Sequence, residues 1–258
     1  MLQIFSMPCG WLEFDSKIFF PERKRGEQMI TIPVPSYLIT HPQGNVVFDT
    51  GVHCSVMTDP VARLGAAGAK SFTSRSKPSE EIVAQLAQFQ LTPNDIKYVI
   101  NSHFHFDHCG GNEFFPQSTI LVQKNELQTA RDPELNKKTN FDPQDWNHKL
   151  NYQAVDGELD LFGDGALVLF PTHGHTPGHQ SLRVHVTKGA AFVMTGDACY
   201  TKSNMDENRL PLIASDRDEM YRSLGKLRDL RDKAGATILY GHDPDQWKEV
   251  PHAPNALA

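Results

Sequence analysis

Three imidazoles and a carboxylate fall within six residues at His103-Phe104-His105-Phe106-Asp107-His108. Imidazole and carboxylate together suit Zn²⁺ and its neighbours, with bonds of about 2.0–2.2 Å. His103 and His105 alternate with Phe104, so on extended chain both point the same way. A turn after them lets Asp107 and His108 face a second ion, and Gly110-Gly111 allows the backbone to bend tightly. The bland alternative is a loop of surface histidines, and the density of the cluster speaks against it.

One such cluster is an incomplete site. Partners occur at His173-Gly-His175-Thr-Pro-Gly-His179, at Gly196-Asp197 and at Gly241-His242. Singly each is weak, since a lone Gly-Asp is usually a turn and a lone His is usually a satisfied polar group. Jointly they supply the donors that the first cluster lacks. Of the remaining histidines, His41, His53, His148, His185 and His252 have no such context and read as surface or packed rings.

The elements that must carry these residues are strands that end where the donors begin. Tyr37–Thr40 and Val46–Asp49 read as a strand pair, with Lys97–Asn101 running straight into His103. Thr119–Gln123, Ala166–Phe170, Ser181–Val186, Ala190–Thr195 and Thr237–Tyr240 read as further strands. A helix is predicted with Ser79 as N-cap, Glu80 and Glu81 in its first turn, and Ile82, Leu86 and Phe89 on one face. Asp216 with Glu219 opens another, striped by Met220, Leu224, Leu227 and Leu230. Residues 51–78 read as irregular, a stretch long enough to close over a site or join a homodimer. Strands and helices in both halves predict α/β layers, with the polar clusters at strand ends.

Composition narrows the class. The 258 residues carry 25 Lys+Arg against 31 Asp+Glu, a net charge of −6 that argues against a nucleic-acid binder. No apolar run reaches the ~20 residues of a membrane span, and the N-terminus lacks the pattern of a signal peptide. Four cysteines without CxxC spacing suggest reduced thiols and a cytoplasmic protein.

The ordered set His-x-His-x-Asp-His, His-Thr-Pro-Gly-His, Gly-Asp and Gly-His resembles the dinuclear branch of the metallo-β-lactamase superfamily, including an Asp-x-Gly turn at Asp49-Thr50-Gly51. The resemblance implies one domain over residues 1–258, folded as a four-layer αβ/βα sandwich. It implies two divalent ions, zinc first and cobalt, manganese or iron as alternatives. One ion would take His103, His105 and His175, the other Asp107, His108 and His242, with Asp197 bridging. Asp49 and His179 would support the ligands by hydrogen bonds, and His173 is a distractor.

Tyr200, three residues after Asp197, resembles the N-acyl-homoserine lactonase subgroup. That likeness implies opening of a lactone ring, and hence quorum quenching, by a metal-bridging hydroxide. Tyr200 would contact the carbonyl and Asp107 would shuttle the proton. An acyl chain needs an apolar groove, for which Met29, Phe72 and Phe106 are candidates, with Met7, Trp11, Phe14, Phe19 and Phe20. The rival is a hydrolase of thioesters or other lactones on the same fold. A C-terminal tail with Lys248 as its one basic residue counts against a glutathione thioester.

Overall fold

The computed structural model describes residues 2–187 and 190–258. Seven strands form the first sheet: β1 (Gln3–Asp15), β2 (Met29–Thr40), β3 (Asn45–Phe48), β4 (Thr73–Ser74), β5 (Ile96–Ile100), β6 (Thr119–Gln123) and β7 (Asn151–Val155). Their order is β4-β1-β2-β3-β5-β6-β7. β1, β2 and β3 pair antiparallel, whereas β3, β5, β6 and β7 run parallel. Five more strands form the second sheet: β8 (Leu159–Asp160), β9 (Leu167–Pro171), β10 (Gln180–Thr187), β11 (Ala190–Met194) and β12 (Thr237–Leu239), ordered β12-β11-β10-β9-β8.

The sheets face one another across a buried apolar layer. Ile39, Val46, Phe48 and Ile100 of the first sheet meet Leu169, Leu182, Val184 and Met194 of the second. Outside the first sheet, Ile82 and Leu86 of the helix Ile82–Ala87 pack on Phe5, Val47 and Val99. Outside the second, Met220, Leu224 and Leu227 of the helix Arg217–Asp232 pack on Phe170, Val193 and Ile238. Helix, sheet, sheet and helix make the αβ/βα sandwich. Among the described residues no helix is long and apolar enough to cross a membrane.

Three sequence expectations are corrected. The sequence reading places no strand before Tyr37, yet the N-terminal stretch is itself a 13-residue strand, β1. Pro8 and Gly10 fall at a bulge where the β1–β2 register shifts between Pro8 and Trp11, so neither ends the strand. Residues 51–78 are not irregular throughout: they hold α1 (Cys54–Thr58), α2 (Pro60–Gly68) and β4, with a kink at Gly65 (φ 71°). Ser79 caps nothing, because Pro78–Glu80 is a 3₁₀ turn and the α-helix α3 (Ile82–Ala87) starts after Glu81. Phe89 lies beyond α3 and packs edge-on against Phe5 at 4.8 Å. At the Arg217–Asp232 helix, Asp216 does cap, accepting from the Glu219 N–H at 3.0 Å.

Candidate metal centre and cavity

Every donor singled out from the sequence follows a strand end. β5 leads through Asn101 and Ser102 to His103, His105 and the short helix α4 (Phe106–Cys109), which carries Asp107 and His108. The β9–β10 connection carries His175, the turn after β11 carries Asp197, and the turn after β12 carries His242. The donor atoms gather into two groups: His103, His105, His175 and Asp197 within 4.8 Å of one another, and Asp107, His108 and His242 within the same limit. Asp197 lies between them. Its Oδ2 is 3.1 Å from His175 Nε2, and its Oδ1 is 3.2 Å from His108 Nε2 and 3.0 Å from His242 Nε2.

The outer nitrogens fix what the inner ones can do. His105 Nε2 donates to the Thr139 carbonyl (3.0 Å), His175 Nδ1 to the Ile213 carbonyl (3.2 Å) and His242 Nδ1 to the Pro33 carbonyl (2.9 Å). A carbonyl oxygen only accepts, so these outer nitrogens carry the protons and each neutral ring turns a bare lone pair inward. His103 follows the same pattern: Ser102 Oγ donates to Asp49 Oδ2 (2.7 Å) and accepts from His103 Nδ1 (3.0 Å). The inward Nε2 atoms of His103 and His175 each lie 2.9 Å from His105 Nδ1. Three lone pairs that close repel unless a cation lies among them. Asp197 Oδ1 is buried yet accepts no hydrogen bond. The residues therefore fit a pair of cations, and their N and O donors suit zinc.

Charge follows the same geometry. Burial disfavours an ionised Asp197, but His242, His108 and His175 outweigh it and hold the carboxyl well below its usual range. Burial also disfavours charge on His108, and Asp197, Asp107 and Asp49 outweigh it, so protons and metal compete for that ring. Burial pushes His175 down to about 3 and keeps it neutral.

Asp49 and His179 occupy supporting positions. Asp49, in the left-handed region at φ 57°, accepts from the Ser102 N–H (2.6 Å), Ser102 Oγ (2.7 Å) and His108 Nδ1 (2.8 Å). Next to it Gly51 must be glycine, since a Cβ there would lie 2.3 Å from Cys9 Cβ. His179 Nε2 accepts the Asp197 N–H at 2.9 Å, so its Nδ1 is the protonated nitrogen and donates to Thr172 Oγ1 at 2.9 Å. His173 stands outside both groups and donates from Nδ1 to the His179 carbonyl.

One supporting residue carried no sequence signal. Glu126, fully buried in the first turn of the helix Lys124–Arg131, accepts from the N–H of Phe104 (3.0 Å) and of Gly178 (2.8 Å). It thereby ties the His103–His108 loop to the His175–His179 loop. A Cβ on Gly178 would fall 2.1 Å from the Glu126 backbone nitrogen. An acid beside Leu127 on a short helix gives no warning of this contact.

A cavity of about 320 Å³ opens onto the donors, with Phe14, Ile18, Phe19, Ile32 and Phe106 on its apolar side and Lys138 and Asn140 at its mouth. Tyr200 and Asp107 line it where it meets the donor groups. Burial, with Asp197 and Asp107 beside it, raises the Tyr200 phenol well above its usual value, so it stays protonated. Of the groove candidates, Phe106 lines this cavity, while Phe72 lines two hollows beside it and stacks on Phe106 at 5.0 Å. Met29 is half-exposed and lines the outer hollow, not this cavity. Met7 is packed in the core under α3, away from the cavity. A larger hollow, about 840 Å³, opens behind Tyr240 and touches none of the seven donors.

Comparison with known proteins decides the family. Residues 30–242 match the family model of the metallo-beta-lactamase superfamily. The chain belongs to that superfamily. It is 36% identical over 228 residues, 86% of each chain, to the N-acyl homoserine lactonase AttM of Azorhizobium caulinodans. It is 31% identical over 246 residues, 95% of each chain, to the lactonase AiiA of Bacillus thuringiensis subsp. kurstaki. A solved N-acyl homoserine lactone hydrolase, with N-hexanoyl-L-homoserine bound at its catalytic metal centre, superposes with a TM-score of 0.88 at 28% identity over 98% of each chain. Within the superfamily the chain groups with these lactonases, and it is an enzyme of this hydrolase fold.

Proposed function

We propose that this protein opens the lactone ring of N-acyl homoserine lactones and so quenches quorum signals. The observation that carries the reading is the junction of an apolar cavity with two donor groups at a protonated phenol. The reading also rests on the names of the lactonase relatives. His103, His105, His175 and Asp197 would hold one divalent ion, and Asp107, His108, His242 and Asp197 the other. Such ions supply hydroxide at neutral pH and polarise a carbonyl.

The chain's own residues do the rest. Phe19, Ile32 and Phe106 hold the acyl chain and exclude water from the reacting end. Tyr200 donates its O–H to the lactone carbonyl oxygen as negative charge develops there. Asp107, near the surface of the cavity, takes a proton onto a carboxylate oxygen and delivers it to the departing ring oxygen. The free thiols at Cys9, Cys54, Cys109 and Cys199 suit a reducing compartment such as the cytoplasm.

The test is proton release from N-hexanoyl-homoserine lactone, followed with a pH indicator. Metal-loaded protein should acidify the solution, while chelated protein and Asp107→Asn should not. Tyr200→Phe should lose about 100–1,000-fold in kcat, the scale of one oxyanion donor. No acidification by protein shown to hold two metal equivalents would overturn the lactonase reading and direct the search to thioesters and other esters.

A further inference from the structure

A second cluster of metal-type donors lies outside the site described above. His53 precedes α1 and Cys54 opens it, while Glu81 stands at the start of α3. One donor atom from each of these residues lies within 4.8 Å of the others. Cys54 Sγ is 3.9 Å from His53 Nε2. That separation is close to the roughly 3.5 Å that tetrahedral zinc, with bonds of about 2.0–2.3 Å, imposes on its ligands. A fourth donor is at hand: Glu113, in the 3₁₀ turn Asn112–Phe114, puts Oε1 3.2 Å from His53 Nε2.

Two features set this cluster apart from a chance meeting of polar side chains. First, Glu81 Oε1 is buried and has no hydrogen-bond partner. Second, the two carboxylates are short of positive charge. Burial raises the Glu81 carboxyl against the lowering effect of a hydrogen bond from the Cys54 thiol, and Glu113 raises it further. Arg63 approaches Glu113 only to 3.6 Å, and it is already committed to Asp145 (2.9 Å) and the Gln144 carbonyl (2.7 Å). A divalent cation would answer both the unpartnered oxygen and the charge.

We propose that His53, Cys54 and Glu81, with Glu113 as a fourth ligand, form a separate single-ion site for zinc or a similar thiolate-binding divalent metal. The donor mix of nitrogen, sulfur and carboxylate oxygen is that of zinc sites. The His53 ring can offer Nε2 to the ion. In this structure Nδ1 accepts the Ser55 N–H at 3.1 Å and caps α1, so ligation through Nε2 moves the ring proton to Nδ1, gives up that cap bond and turns the new N–H to Ser55 Oγ, 2.6 Å away. The ring face is held against Phe114, stacked at 5.4 Å.

Binding requires the thiolate, so the Cys54 proton leaves to solvent as the S–metal bond forms. Burial and the neighbouring Glu81 carboxyl raise that thiol, so uptake strengthens as pH rises. An ion there would join α1, α3 and the Asn112–Phe114 turn, and would brace the loop from Gly51, whose carbonyl packs on Gly110 just after α4.

The spectroscopic signature separates this site from the dinuclear one, whose donors include no sulfur. Metal-stripped protein, kept reduced, is titrated with Co²⁺ and then analysed for bound metal. Wild type should take up three equivalents, the last with a near-ultraviolet thiolate-to-cobalt band. Cys54→Ser should lose that band and one equivalent while lactone turnover stays unchanged. Glu81→Gln should weaken the third equivalent at least about tenfold. Uptake stopping at two equivalents with no thiolate band, while a thiol reagent finds Cys54 reduced, would overturn the proposal. So would a band that survives in Cys54→Ser. Neither outcome depends on the lactonase reading, because binding is measured without substrate.

Discussion

The donor groups and the apolar cavity beside them touch, yet they are held in opposite ways. Each imidazole in the donor groups is aimed by one hydrogen bond from its outer nitrogen, mostly to a backbone carbonyl. The cavity wall is assembled from Phe14, Ile18 and Phe19 near the N-terminus, Phe106 after β5, and residues 138–140, and its aromatic and aliphatic side chains are held by packing. A directional bond has no near substitute, whereas a packed wall can relax. Damage to the donors should therefore be abrupt, and damage to the cavity graded.

The sharpest way to break that contrast is Asp197→Asn. Its two oxygens face different donor groups, so the amide should strip metal from both and lower kcat/KM by more than about a thousandfold, the scale expected when metal-generated hydroxide is lost. Metal analysis beside the kinetics decides it, and a fully loaded variant with near-normal turnover would contradict the assignment of Asp197.

Glu126→Ala comes next. It leaves two buried N–H groups without an acceptor, at about 1–3 kcal/mol each, read from denaturant melts of the metal-loaded protein. The acid also has a pH signature. Burial pushes its carboxyl up to about 7, above its ordinary value of 4.5. The folded state thus binds the proton more tightly than the unfolded chain does. This contribution favours folding fully below about 4.5 and is lost as pH rises through about 7. Glu126→Gln, which cannot titrate, should flatten that part of the stability profile. An unchanged slope would show that another group sets it.

His179→Ala removes the acceptor for the Asp197 N–H and should weaken metal binding by about 10–100-fold, measured by competition with a chelating dye. The mildest effect belongs to the cavity. Phe19→Ala should raise KM for a decanoyl substrate by about tenfold and for a butanoyl substrate less, with kcat nearly kept. Equal losses for both chain lengths would mean that Phe19 supports Tyr200, 4.9 Å away, rather than the acyl chain.

The same contrast explains what could be read in the sequence. His103 to His108 sit within six residues, and His175, Asp197 and His242 each stand beside a glycine at a strand end, so chemistry and position are written locally. The α/β layering followed from the strands that lead into them, and the two-sheet sandwich from the resemblance to the metallo-β-lactamase superfamily. β1 was hidden because Pro8 and Gly10 look like breakers until their bulge is seen against β2. α2 was hidden by Gly65 and a run of small residues with little periodicity. Glu126 and the cavity wall depend on contacts between segments far apart in sequence, and no local pattern announces such contacts.

Each donor group also draws on both sheets: His103 and His105 follow β5 of the first, while His175 and Asp197 belong to the second, and Asp107 and His108 are completed by His242 after β12. Neither sheet alone offers a full coordination shell, so an ion bound there would act as a rivet across the sandwich, closing off the opening motions that part the two layers. Amide hydrogen exchange should register this as slower exchange in β5 and β10 together on metal loading, whereas a site built on one sheet would protect that sheet alone.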